Sequence, residues 1–444
     1  MRIEEVKGIR PAEAFSALRA LGRPFLLNGL RYSYAGAGPL ATVVTENGIT
    51  SVNNRPAGFA DPFEAIASLL KKYDTARGPF PFSSGAVAYF SYDLRDLIEP
   101  RASRKGKQGL SIPECMAGIY DPVFVFDHGQ ETGFLVSTTG DKGRFEECLG
   151  MLKPGAKPIA AEVGRASNMR SDFTKDEYIS AVKRAKEYIA AGDIYQINLS
   201  QRLTMDWQGD PLALYLSLVE RYPALYCSFL DYGAFQVISN SPENLLRVSS
   251  GVVETSPIKG TRGRGKGSDE DRSLMEELKA SPKEMAEHVM IVDLERNDLG
   301  RISVPGSVEV ASFAAIETYP HLHHMVSTVR GRLRDSVSAP EALRQIFPGG
   351  SITGAPKIRA MEIIDELECH SRSIYTGGIG WFGFDGSADI AMAIRTAVYK
   401  DGALNLSVGG GIVADSVPED EYTETLLKAR DFLEVLKLRG AHET

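Results

Sequence analysis

From Ile374 to Val413 the chain spells out an antiparallel meander. Gly378 to Phe384, Asp389 to Tyr399 and Leu404 to Val413 read as strands separated by Asp385-Gly386 and Asp401-Gly402. Those dipeptides suit two-residue hairpin turns, because both residue types tolerate the positive φ such turns need. Asn47-Gly48 predicts a further hairpin within Thr42 to Val52. Helices are interleaved. Asp61-Pro62-x-Glu64 opens an apolar helix, and Thr174-x-x-Glu177, flanked by Phe173 and Tyr178, is a capping box with a hydrophobic staple. That helix is expected to end at Gly192, before the strand-like Ile194 to Leu199. Helices packed around antiparallel sheets place the chain in the α+β class rather than among doubly wound folds.

With 444 residues, 43% of them hydrophobic, the chain can bury a large core; two or three domains are expected from length, and one large unit stays open. Lys153 to Asp172 is rich in Lys, Pro, Gly, Ala and Ser without periodicity. It is the expected linker (153–172) between an N-terminal region (1–152) and the region that carries the chemistry (173–438). A charge of −8, with 50 basic residues interspersed among 58 acidic ones, argues against nucleic-acid binding. An anionic substrate would then need local cations or oriented backbone amides. Met1-Arg2-Ile3-Glu4-Glu5 leads into no apolar stretch, and no run is long enough to span a bilayer, so a cytoplasmic location is expected. Cys115, Cys148, Cys227 and Cys369 lie far apart, which indicates neither a disulfide framework nor a zinc site.

Several residues stand out chemically. Lys259, followed by Gly260, is a potential amine nucleophile in a tight corner, although a free lysine amine with a pKa of about 10.4 is mostly protonated at neutral pH. Glu284 and Glu287 sit three apart on a helix opened by Ser281 and Pro282, and Glu421 and Glu424 repeat the spacing on a second helix. Each pair has an ordinary reading, Glu284 as part of a capping box and Glu424 as an i,i+4 partner of Lys428. Converging, they would make an oxygen-rich site for a hard cation such as Mg²⁺. Read as one strand, Asp389 to Tyr399 puts Arg395 on a face of alanines, with room to grip a carboxylate. Gly409-Gly410-Gly411 offers backbone amides to an anion or simply a bend. Gly349-Gly350-Ser351-Ile352-Thr353-Gly354 lacks the Lys-Ser/Thr ending of a phosphate-binding loop, and His321, His323 and His324 lack zinc-site spacing.

Together, Ser241-Pro242-Glu243, Ser256-Pro257-Ile258-Lys259-Gly260-Thr261, the stretch from Ser281 to His288, Tyr375-Thr376-Gly377-Gly378, Ile394-Arg395-Thr396, Gly409-Gly410-Gly411 and Glu421-Tyr422-Thr423-Glu424 resemble the motifs of the chorismate-utilising enzymes. The resemblance runs closely from Phe173 to Leu438, with looser matches at Leu26-Leu27, Tyr32-Ser33 and Gly85 to Leu94. It implies two large antiparallel β-sheets packed face to face with surrounding helices, and a cleft in the second half for chorismate and Mg²⁺. It further implies Glu287 and Glu424 as direct Mg²⁺ ligands, and Glu284 and Glu421 as carboxylates acting through metal-bound water. Gly260 and Thr261 would lie beside the ring carboxylate of chorismate. Tyr375, Arg395, Gly409 and Gly411 would grip the enolpyruvyl carboxylate, with His324 and Ser351 at the ring. Glu243 would protonate the departing C4 hydroxyl.

Lys259 separates the branches of this family. The branches that form anthranilate or isochorismate carry alanine there; with lysine, the implied reaction is attack of its amine on C2, then displacement by ammonia at C4 to give 4-amino-4-deoxychorismate on the way to p-aminobenzoate and folate. Anthranilate formation and a catalytically inactive chorismate-binding or glutaminase-docking subunit are the alternatives. No cysteine lies in a Gly-x-Cys-x-Gly turn, so ammonia is expected from a separate glutamine amidotransferase chain, and no length is left for a fused lyase. The Gly-rich, basic segment from Arg262 to Gly267 is expected to be mobile. At Asn28-Gly29 the acidic residue and serine used for tryptophan feedback are missing, so such feedback is not expected, while a structural tryptophan stays open.

Overall fold

The computed structural model describes residues 1–73, 77–100, 107–155, 162–319 and 322–438. Among them, two antiparallel sheets of twelve strands each lie face to face with helices on their outer surfaces. The α+β arrangement with two large sheets is the one the sequence led us to expect. The predicted hairpin forms from Ala41–Glu46 and Ile49–Val52, with positive φ at both Asn47 and Gly48. Thr174 and Glu177 close their capping box at the start of the Lys175–Ala190 helix, and the Phe173 and Tyr178 rings pack edge to face at 5.8 Å.

Alternation along the strands builds three apolar layers. In the first sheet Phe25, Leu27, Val123 and Val125 point inward, while Leu26, Phe124 and Phe126 point out beneath the Pro11–Leu18, Lys142–Met151, Pro211–Arg221 and Pro418–Val435 helices. In the second sheet Val87, Tyr89 and Trp381 meet that inward set, while Ala86, Ala88, Phe90 and Phe382 face the Pro62–Lys71, Pro282–Ile302 and Ala339–Ile346 helices. Each large side chain so buried contributes about 1.5–3 kcal/mol.

Both sheets run through both halves of the chain. Phe25–Asn28 pairs with Tyr226–Asp231 in the first, and Gly85–Phe90 with Gly378–Gly383 in the second. The stretch read as a linker contains a strand, Ala166–Ser171, paired with Gln196–Trp207; residues 156–161 of that stretch lie outside the described ones.

Asp389 to Tyr399 is not one strand. Ala388–Met392 belongs to the second sheet and Thr396–Lys400 to the first, and Ala393 to Arg395 carries the chain across. The pleat breaks because Arg395 takes φ +48°, a left-handed conformation that no strand continues through. A second crossing, between Gln236–Ser241 and Asn244–Ser249, carries Pro242 and Glu243. The Met392 N–H donates to the Glu243 carbonyl at 3.0 Å and ties the two crossings together. Glu243 and Arg395 are thus set at corners where the chain changes sheets.

Candidate active site

These corners open into a cavity of about 800 Å³. All fourteen residues expected at the site border it: Glu243, Lys259, Gly260, Thr261, Glu284, Glu287, His324, Ser351, Tyr375, Arg395, Gly409, Gly411, Glu421 and Glu424.

Lys259 lies on the Ile258–Gly263 strand, whose register against Leu322–Arg332 shifts at Gly260. Gly260 has φ +76°, and a Cβ there would come within 2.7 Å of Leu278 and 3.1 Å of a Glu284 oxygen, so both conformation and space require glycine. The half-buried lysine reaches towards the opposite sheet: a Cβ added to Gly411 would lie 3.5 Å from Nζ. Glu243 is buried and accepts a hydrogen bond from the Ser351 hydroxyl at 2.9 Å. Burial holds its carboxyl above the usual range, against the opposing pull of Ser351 and of the nearby Lys259. Gly350, which leads into Ser351, serves packing rather than phosphate binding, since a Cβ there would strike Leu294 at 2.4 Å. His324 is buried, pairs with Thr261 Oγ1 through Nδ1 at 2.8 Å, and is driven down to about 4 by burial and by Arg395. It is therefore neutral at pH 7. His323 is spent on Asp271 and Thr318, and His321 lies outside the described residues.

The carboxylate pairs border the cavity from two helices, Pro282–Ile302 and Pro418–Val435. Ser281 caps the first through the Glu284 N–H, at 3.3 Å, but the Glu284 carboxylate turns to Arg262, at 3.4 Å, instead of closing a capping box. Arg262 also pairs with Glu277 at 3.0 Å, so it serves these carboxylates. Glu421 is buried and accepts from Ser416 Oγ at 2.7 Å. Glu424 pairs with Lys428 at 2.7 Å, and the same ammonium donates to the Gly409 carbonyl at 2.9 Å. Among the described residues no three His, Cys, Asp or Glu side chains are drawn together around one point. The donor set nonetheless fits Mg²⁺: four carboxylates offer only oxygen, and this ion takes one or two of them and completes its shell with water and substrate. Glycines leave the space open, since a Cβ at Gly260 or Gly410 would come within 3.1 Å of Glu284 or Glu421 respectively.

Arg395, Tyr375, Gly409 and Gly411 form the opposite wall. Burial draws the Arg395 guanidinium down from its usual pKa, and Asp431, at 3.6 Å, opposes that pull. A Cβ on Gly409 would lie 2.8 Å from the Tyr375 hydroxyl, so the phenol packs directly on that strand.

Sequence reasoning missed Gln196, Asn198, Arg372 and the cavity role of Lys428. Gln196 and Asn198 share a face of the Gln196–Trp207 strand, and three of their side-chain polar atoms have no hydrogen bond of normal geometry. Their signal was two amides at strand spacing directly after the Gly192 helix stop. The basic segment expected to be mobile is tied down: Arg264 forks onto Asp271 at 2.8 and 2.8 Å, and the Gly265 and Lys266 N–H groups donate to Asp271 and Glu270.

A fold of two stacked sheets with a cavity of acids, a lysine and an arginine defines a chorismate-utilising enzyme, and the chain belongs to the chorismate binding enzyme family, whose model matches residues 23–434. Among curated relatives it is 40% identical over 424 residues to aminodeoxychorismate synthase component 1 of Bacillus subtilis (strain 168), covering 92% of this chain and 90% of that one. It is 39% identical over 431 residues to anthranilate synthase component 1 of Pseudomonas putida, covering 92% and 87%. The crystal structure of anthranilate synthase component I from Streptococcus pneumoniae TIGR4 superposes with a TM-score of 0.82 at 31% identity, covering 90% of this chain and 92% of that one.

Proposed function

We propose that this enzyme aminates chorismate at C4 to give 4-amino-4-deoxychorismate, as an aminodeoxychorismate synthase component I. The reading rests on Lys259, an amine in the same cavity as a buried Glu243 whose carboxyl burial pushes above its usual range. Chorismate presents two carboxylates. Arg395, Tyr375 and the amides of Gly409 and Gly411 hold the enolpyruvyl one, while Gly260 and Thr261 face the ring carboxylate, and His324 and Ser351 flank the ring. Glu284, Glu287, Glu421 and Glu424 would hold Mg²⁺, which neutralises the ring carboxylate when bound.

The neutral Lys259 amine adds to C2, the ring double bonds shift, and the C4–O bond breaks as Glu243 gives its proton to the leaving hydroxyl, which departs as water. Ammonia then forms a bond to C4, the double bonds return, and the C2–N bond to Lys259 breaks. The lysine regains the electron pair, and the proton lost by ammonia re-protonates the site. Two displacements thus put nitrogen on C4 rather than C2. Ammonia comes from a separate glutamine amidotransferase chain, and the product feeds p-aminobenzoate and folate synthesis in the cytoplasm. Among the described residues no helix is long and apolar enough to cross a membrane.

The 39% identity to an anthranilate synthase favours a second reading, ammonia addition at C2. Incubation with chorismate, Mg²⁺ and ammonium separates the two. The proposal predicts 4-amino-4-deoxychorismate. Anthranilate would support the second reading, and no turnover under varied conditions would contradict both in favour of a docking subunit.

A further inference from the structure

Asn198 is 6% exposed and borders the cavity, opposite Gly411 in the strand register. Its main chain is held from both sides. The N–H donates to the Thr353 carbonyl at 3.0 Å, and the carbonyl accepts from Arg372 Nη2 at 2.6 Å. Its side chain lies against the Tyr375 phenol and draws that group's pKa down, opposing the dominant effect of burial. Even so, Nδ2 finds no acceptor at normal distance and angle. Native structures rarely bury such a donor unsatisfied, because doing so forfeits its hydration.

Arg372 explains why Asn198 is held so firmly. The same guanidinium donates to the Ile352 carbonyl at 3.0 Å, beside Ser351, and to Thr376 Oγ1 at 3.2 Å, beside Tyr375. Glu368 holds it through three bonds of 2.7, 3.0 and 3.3 Å, and Glu368 is itself fixed by the Ser200 N–H and hydroxyl. One buried ion pair therefore spans three pieces of the cavity wall. A fixed, neutral donor adds to what Arg395, shared with Asp431, and Lys428, shared with Glu424, offer this wall.

We propose that Asn198 is a further specificity residue, whose Nδ2 donates to the side-chain carboxylate of the bound substrate next to Tyr375, with Arg372 as the residue that positions it. This rests on the cavity being the chorismate site.

The test is calorimetric binding of chorismate with Mg²⁺ and without ammonia, in a Lys259→Ala parent that forms no covalent adduct. Asn198→Asp is close in shape but replaces the donor by an anionic acceptor; Asn198→Ala removes the amide with less disturbance. Both should weaken chorismate binding, by about ten- to a hundredfold for the aspartate, as expected for one bond to a charged group. The loss should fall below about twofold for an analogue lacking the side-chain carboxylate, a readout that a merely structural role would not produce. Arg372→Lys should cost affinity in the same carboxylate-dependent way, and adding Asn198→Ala to it should cost less than in the parent. Affinities within about twofold of the parent for both Asn198 variants, or equal losses with the analogue, would overturn the assignment. A parent that binds no chorismate would overturn the reading of the cavity as well.

Discussion

Ser351→Ala deletes a hydroxyl that donates to the Glu243 carboxylate at 2.9 Å. That bond favours the ionised carboxylate, while burial, the larger effect, favours the protonated one. A hydrogen bond to a charged group contributes about 1.5–3 kcal/mol, so its removal should shift the balance between ionised and protonated Glu243 roughly ten- to a hundredfold towards the acid. If Glu243 is the proton donor, it must be protonated to act, and activity falls as pH rises through its folded pKa. The alkaline limb of the pH profile should therefore move to higher pH in Ser351→Ala. The assay is the rate of covalent adduct formation with chorismate and Mg²⁺ alone, which keeps the ionisation of ammonia out of the profile. The rate at neutral pH also reports any contact of Ser351 with the ring, so the position of the limb is the quantity to read. Glu243→Gln should abolish the step. An alkaline limb that stays in place or moves to lower pH would refute the acid assignment.

Glu287→Gln and Glu424→Gln should each abolish Mg²⁺-dependent turnover with an unchanged circular dichroism spectrum, and calorimetry should show the loss of Mg²⁺ binding directly. Near-native turnover without added Mg²⁺ would return both pairs to ordinary helix surface. His324 has a folded pKa of about 4 against about 6.5 unfolded, so the unfolded state binds more protons between those values, and folding stability falls as pH drops through that window. The span is worth at most about 3 kcal/mol. His324→Gln should flatten that part of the stability profile in denaturant titrations, leaving the similar slope from His288, also held at about 4. Gly411→Ala would put a methyl 2.7 Å from Gln196 Nε2 and 3.5 Å from Lys259 Nζ, so it should lower turnover while costing no more than about 1–3 kcal/mol in stability.

Local chemistry made much of this molecule legible in its sequence. Asn47-Gly48 and Thr174-x-x-Glu177 form the turn and cap they spell, because their signals act within a few residues. The fourteen candidate residues, spread over many separate segments, border one cavity, since ordered motifs survive changes in the chain between them. What stayed hidden depends on distant partners. Nothing local told that Phe25–Asn28 would pair with Tyr226–Asp231 and draw the two halves into shared sheets. Alternation continued through Ala393 to Arg395 even though the chain changes sheets there, because apolar residues suit both sides of the crossing. Lys428 looked like a solvated i,i+4 partner, and only the fold turns that pair into the cavity. Arg372 sits between two serines in a loop, and its engagement with four partners is invisible without the segments it joins.

The central claim is that Lys259 is a nucleophile rather than a charge. Intact-protein mass analysis after mixing with chorismate and Mg²⁺, with ammonia left out, tests it most directly. The account predicts a mass increase of chorismate less one water, mapped by peptide analysis to Lys259 and missing from Lys259→Arg, which keeps the charge without a usable amine. An adduct on another residue, or a Lys259→Arg variant with full activity and the same product, would contradict it.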